Sequence, residues 1–169
     1  RHSNSRSRTM RTSTSPAGLA GDLLFGVGRP VLVVPYAGSH KATGRRVLIG
    51  WNASREAARA VNDALPLIVA ADAASVLAAN PRTGIAAHGE QPGADIALHL
   101  ARHGAEVTVE QRVAPEVPDA DLLLNHASDF AADLIVIGAY GHSRLREFVL
   151  GGVTRTILKQ MTVPVLLSH

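Results

Sequence analysis

Leu134-Ile135-Val136-Ile137 runs straight into Gly138, with Gly141 three residues on and a second pair, Gly151-Gly152, beyond. A continuous apolar run of this length reads as a strand buried on both faces, the kind found inside a parallel sheet. Val153 to Met161 then reads as a helix, Pro164 stops it, and Val165-Leu166-Leu167 reads as another strand. A strand, a glycine-bearing loop and a helix start together make a phosphate cradle. Glycine lets the backbone approach a ligand closely, and the first turn of a helix directs free N–H groups at an anion. The spacing is neither G-x-x-x-x-G-K-[ST] nor G-x-G-x-x-G, so neither a P-loop nor a dinucleotide fingerprint is present.

The preceding residues repeat the same alternation. Val47 to Trp51 reads as a strand, and Asn52 or Ser54 caps a helix over 55–65. Ala74 to Ala79 is a second strand ending in Asn80-Pro81, followed by a Gly- and Pro-bearing loop over 82–92. Ala94 to His103 is a helix closed by Gly104, Glu106 to Glu110 alternates as a strand, and 119–131 is a helix leading back to Leu134. Strands alternating with helices predict a three-layer, doubly wound α/β domain around a parallel sheet of five strands.

Gly138, Gly141, Gly151 and the following Val153-Thr154 resemble the nucleotide-binding signature of the universal stress protein family, Gly-x2-Gly-x9-Gly-Ser/Thr. The likeness extends over about residues 45–169. It implies the strand order 3-2-1-4-5 of the adenine nucleotide alpha hydrolase-like fold. The first and fourth strands, 47–51 and 134–137, are then neighbours where the winding reverses, the place at which such sheets bind ligands. On this resemblance the site comprises Trp51, Asn52, Ala53, Ala79, Ile137, Gly138, Gly141, Gly151, Gly152, Val153 and Thr154. Its ligand is ATP or a related adenine nucleotide, with or without Mg²⁺. Three positions depart from the family pattern. Gly152 replaces Ser or Thr, Asn52 replaces an Asp, and Ala79 stands where a larger Val lines the adenine pocket.

Each candidate has two readings. Gly138 and Gly141 either admit ribose and phosphate or serve the turn out of a buried strand. Gly151 to Thr154 either supply amides and a hydroxyl to phosphate or merely open a helix. Asn52 either contacts the nucleotide or makes a turn, for which Asn is well suited. Arg144, Arg146 and Arg155 flank the glycines and either meet phosphate or stay solvated. His99 and His103 have the spacing of a helical metal pair without a third ligand, so no metal site is expected. Ser54, Ser128 and Ser143 lack the elbow of a nucleophilic serine, and Asp119, Asp121, Asp129 and Asp133 read as helix-start and surface residues. No general base stands out, which points to a sensor rather than an enzyme, with any ATP hydrolysis slow and incidental. The competing reading is a nucleotide-free dimerisation or scaffold module of the same fold.

Composition narrows the setting. The chain has no cysteine, which excludes disulfides and thiol chemistry and suits a cytoplasmic protein, and it has no apolar run long enough to span a bilayer. The formal net charge of +3 invites a nucleic-acid reading. However, Arg1, Arg6, Arg8 and Arg11 all fall in the first dozen residues. Setting them aside from the 17 Lys and Arg leaves 13 against 14 Asp and Glu, so neither nucleic acid nor a membrane is expected as a partner.

Residues 1–16 are rich in Ser, Thr and Arg and too poor in apolar residues to fold, so they read as a disordered extension. Residues 17–36 are more telling. Shifted by 134 positions they fall on 151–169, with Leu23-Leu24 on Ile157-Leu158 and Pro30-Val31-Leu32-Val33 on Pro164-Val165-Leu166-Leu167. Because the family includes tandem members, 17–36 reads as the last helix and strand of a truncated first domain. Residues 37–45 then form a linker and 46–169 a complete domain. The resemblance further implies association through the last strand, as a homodimer or an intramolecular pseudo-dimer in which 31–34 pair with 165–167.

Overall fold

The computed structural model describes residues 16–38, 43–81, 91–139 and 150–169. Eleven elements follow in order: α1 (Pro16–Val27), β1 (Val31–Val33), β2 (Arg46–Gly50), α2 (Arg55–Ala70), β3 (Ala73–Ala79), α3 (Ala94–Arg102), β4 (Val107–Arg112), α4 (Asp119–Asp129), β5 (Leu134–Gly138), α5 (Gly152–Gln160) and β6 (Val165–Ser168). Helix α1 begins at Pro16, a residue expected to belong to the extension. Proline suits a first helical position because its missing N–H has no partner there in any case. Residues 1–15 lie outside the described residues.

The sheet runs β1-β6-β5-β2-β3-β4. The pairs β6-β5, β5-β2, β2-β3 and β3-β4 are parallel, and β1 is antiparallel to β6. The expectation of five parallel strands is therefore corrected to six in a mostly parallel sheet. The cause is the early segment, which joins the main sheet as an edge strand. Its pairing partner is the expected one, made within the chain: Val31 faces Leu167, Leu32 faces Leu166 and Val33 faces Val165, with Val34 outside the strand.

Successive side chains of each strand feed opposite core layers. Leu48, Leu77, Ile135, Ile137 and Leu167 pack with α1, α4 and α5, while Val47, Ile49, Val76, Leu134, Val136 and Leu166 pack with α2 and α3. This two-sided burial is why the central strands read as unbroken apolar runs. Helix α2 continues five residues past the expected end, through Pro66. The buried stripe Ala57, Val61, Ala64 and Ile68 extends beyond the proline. Asn62 and Pro66 both lie on the exposed side, so the carbonyl that loses its helical donor is left facing water.

Asp133, expected to be a surface residue, has a structural task. Its carboxylate accepts hydrogen bonds from the backbone N–H groups of Gly44 (2.9 Å), Arg45 (3.1 Å) and Arg46 (3.0 Å). It thereby ties the entry of β2 to the entry of β5, and these are the two strands whose far ends frame the candidate site.

Candidate functional site at the carboxyl ends of the central strands

Strands β2 and β5 are parallel neighbours, Gly50 facing Ile137, and their carboxyl ends open side by side. Beyond β2, Trp51 donates its N–H to the Leu77 carbonyl (2.9 Å) and its side chain is buried in the layer under α2 and α3. Asn52 is exposed and its Oδ1 accepts from the Ser54 N–H (3.2 Å), a turn bond that leaves the amide nitrogen of its side chain without a partner among the described residues. Ala53 has φ +54, a left-handed conformation uncommon for a residue with a Cβ. Ser54 then caps α2, its Oγ accepting from the Ala57 N–H at 3.1 Å.

The same end of the sheet carries further constrained backbone. Half-buried Ala79 ends β3 and is followed by Asn80 at φ +41. Asn80 fixes the chain between β4 and α4. Its Nδ2 donates to the Val117 carbonyl and to Asp119, and its Oδ1 accepts from the Ala114 N–H. Gly93, with φ +90, opens α3 close over Val109, Val76 and Trp51, where an added Cβ would sit 3.1 Å from the Val109 side chain. The Asn80-Pro81 and Pro92-Gly93 pairs carry a turn signal in sequence, but nothing there specifies what they clamp.

The glycines differ in cause. A Cβ on Gly138 would lie 2.5 Å from the Glu56 carbonyl carbon and closer still to the Ala57 nitrogen, so β5 meets the first turn of α2 backbone to backbone. Packing alone demands glycine there. Gly152, the first residue of α5, is exposed, and a Cβ on it would meet nothing within 4 Å. Gly151 precedes α5 without a side chain to cap it, so the amides of the first turn have no partner from the capping residue. Of the remaining candidates, Val153 is half exposed, while Thr154 and Ile137 are buried. Arg155 turns back to the Leu150 carbonyl (3.3 Å). Gly141, Arg144 and Arg146 lie outside the described residues.

Two histidine-bearing clusters lie apart from these residues among the described ones. On α3 the His99 and His103 rings are 4.5 Å apart, and His103 Nδ1 lies 2.8 Å from the His99 carbonyl oxygen. That bond takes one ligating nitrogen, and among the described residues no group of three metal-binding side chains forms. The sequence also hid a Ser-His-Glu grouping. Ser75 Oγ is 3.1 Å from His126 Nε2, and His126 Nδ1 is 3.6 Å from Glu110 Oε2, which Arg112 approaches at 3.3 Å. It has the order of a nucleophilic triad but not its access. Ser75 is fully buried in the middle of β3, and its backbone runs between β2 and β4 in the ladder, facing Leu48 and Thr108, which leaves no amides to hold an oxyanion. The three residues come from β3, β4 and α4, so only the fold brings them together.

Comparison with known proteins gives a consistent result. The family model described as "Universal stress protein family" matches residues 43–169, well over half of the chain. The universal stress protein Slr1230 of Synechocystis sp. is 39% identical over 56 residues, a match that spans 28% of this chain and 20% of that protein's length. A universal stress protein from Archaeoglobus fulgidus DSM 4304 superposes with a TM-score of 0.64 at 18% identity, over 82% of this chain and 49% of that one. UspA from Lactobacillus plantarum gives 0.54 at 17% identity, over 76% and 99%. An Archaeoglobus fulgidus universal stress protein in complex with dAMP gives 0.56 at 22% identity, over 72% and 95%. These structural likenesses establish the fold.

Proposed function

This chain belongs to the universal stress protein family, and from that premise we propose that it binds ATP or a related adenine nucleotide as a cytoplasmic sensor module without turnover. The observation that carries the reading is the open start of α5. The first turn of α5 lies at the carboxyl end of the sheet, since the helix leads from the end of β5 back to the start of its parallel neighbour β6, and neither a capping side chain nor packing around Gly152 accounts for glycine there. That backbone would hold phosphate, with the helix dipole favouring the negative charge. Ala79 would line the base, and the free side-chain amide of Asn52 would donate to the ribose. Asn52 carries no charge, so the protein would contribute little to holding a cation, and Mg²⁺ would enter with the nucleotide. The dAMP bound to the Archaeoglobus relative supports the ligand class.

The test is calorimetric titration of the full chain with ATP, with and without Mg²⁺, beside a Gly152→Asp variant. Saturable micromolar binding that the variant loses is the expected result. A folded protein that takes up no ATP at millimolar concentration favours the scaffold reading. That reading has an observation of its own, since Gly138 is explained by its contact with α2 and Asn52 by its turn. We further propose that α1 and β1 are the closing helix and strand of a first unit and that 46–169 form a second.

A further inference from the structure

Ser75, His126 and Glu110 lack the access of a nucleophilic triad, and their hydrogen bonding is incomplete. His126 is 4% exposed, and its Nδ1 is enclosed without a hydrogen-bond partner. Buried polar atoms are rarely left so. Glu110 Oε2 lies 3.6 Å from it, too far for a hydrogen bond but close enough for charge to be felt. The same oxygen receives the Arg112 guanidinium at 3.3 Å. One carboxylate oxygen thus stands between a half-exposed cation and a buried imidazole.

The neighbours fix the form of the neutral ring. A carboxylate only accepts, so a bare Nδ1 would set lone pair against lone pair. The proton therefore sits on Nδ1, and Nε2 accepts from the Ser75 hydroxyl 3.1 Å away. A second proton goes to Nε2. Ser75 can follow it, because rotation alone turns a hydroxyl from donor to acceptor. Glu110 can follow as well, since it is half-buried on β4, the edge strand of the sheet.

We propose that His126 is a proton-operated switch that draws Glu110 away from Arg112. With the ring neutral, Glu110 stays with Arg112. With the ring charged, Glu110 closes the remaining gap to Nδ1 and Arg112 is given up to solvent. Among the described residues Glu110 is the carboxylate brought to the ring. On α4 itself Asp119 is held by Asn80, Asp129 is exposed, and Asp121 lies well round the helix. Phe130 stacks on the imidazole at 6.1 Å and carries the Arg46 guanidinium over its own ring at 4.4 Å, a cation that opposes the charged state. On α5, which packs against α4, Lys159 is exposed and Arg155 turns to the Leu150 carbonyl. Arg112 ends β4 opposite Ala79, and its carbonyl accepts from the Asn80 N–H (2.8 Å). The released charge thus appears at the carboxyl end of the sheet. The switch does not depend on nucleotide binding.

Heteronuclear NMR of the histidine rings and arginine guanidinium groups, on the full chain from about pH 8 down to about pH 5, reads both ends of the switch. His126 should carry a proton on Nδ1 alone in base and on both nitrogens in acid, and the Arg112 signals should shift along the same pH curve. Glu110→Gln, at a half-buried edge position, should keep the fold and abolish the Arg112 shift that follows His126. Three outcomes overturn the proposal: a His126 that stays neutral wherever the protein is folded, an Arg112 indifferent to the His126 proton, or a coupling that survives Glu110→Gln.

Discussion

Gly138 and Gly152 belong to the same glycine pattern, yet their surroundings are opposite. At the end of β5 the chain is closed, because the bare Cα of Gly138 lies against the backbone of Glu56 and Ala57. At the start of α5 it is open, because Gly152 has space around the position of a Cβ and no capping side chain before it. One glycine is required by packing, whereas the other leaves room for a ligand or for a larger residue. Shared membership of a motif therefore does not mean shared purpose, and substitutions at the two positions should separate cleanly.

The largest effect is expected from Gly138→Ala. The backbone of α2 cannot yield as a flexible side chain would, so the variant should lose about 3 kcal/mol of stability or fail to fold, read as a fall in melting temperature. Gly152→Asp should do the reverse. A carboxylate in the first helical turn favours the dipole, so stability holds or rises slightly, while repulsion of phosphate should weaken ATP binding tenfold or more, about 1.4 kcal/mol. If melting fell and binding did not, the two glycines would have to exchange roles. At the other end of β5, Asp133→Ala removes a carboxylate from three backbone donors and should cost about 1.5–3 kcal/mol in urea unfolding, with ATP affinity unchanged in the folded protein. Gly152→Ser restores the hydroxyl that the family pattern carries, without a clash. It should tighten ATP binding by about 0.5–1.5 kcal/mol, a few-fold in calorimetry. The smallest effect is Ala53→Gly, where release of the left-handed strain is partly offset by glycine's greater entropy loss, leaving a gain of about 0.5 kcal/mol in melting experiments.

What could be read in the sequence divides along a physical line. Leu134 to Ile137 announced a buried strand because burial on both faces leaves an unbroken apolar run. The repeat between 17–36 and 151–169 matched the two segments, and the family resemblance then implied that 31–34 would pair with 165–167, of which Val31 to Val33 do. Periodicity is a local property, and it served well for local elements. It misplaced the end of α2, because Pro66 signals a stop while buried Ile68 holds the helix beyond it. It gave no sign that Asp133 would gather three amides from Gly44, Arg45 and Arg46, or that Ser75, His126 and Glu110 would meet. Those contacts join residues far apart in sequence, and no spacing rule reports them. The candidate site shows the same division. The glycines could be located from the motif, but the close approach at Gly138 and the open space at Gly152 depend on what packs around them.

The β1–β6 ladder also has a consequence in time. Synthesis makes Val31 to Val33 ahead of every other strand described, and their partner, Val165 to Leu167, is the last to be made. Loop closure between such distant segments comes late in folding, since the intervening parallel strands give β6 its place. Of the strands described, the earliest in the chain is then the last to be seated.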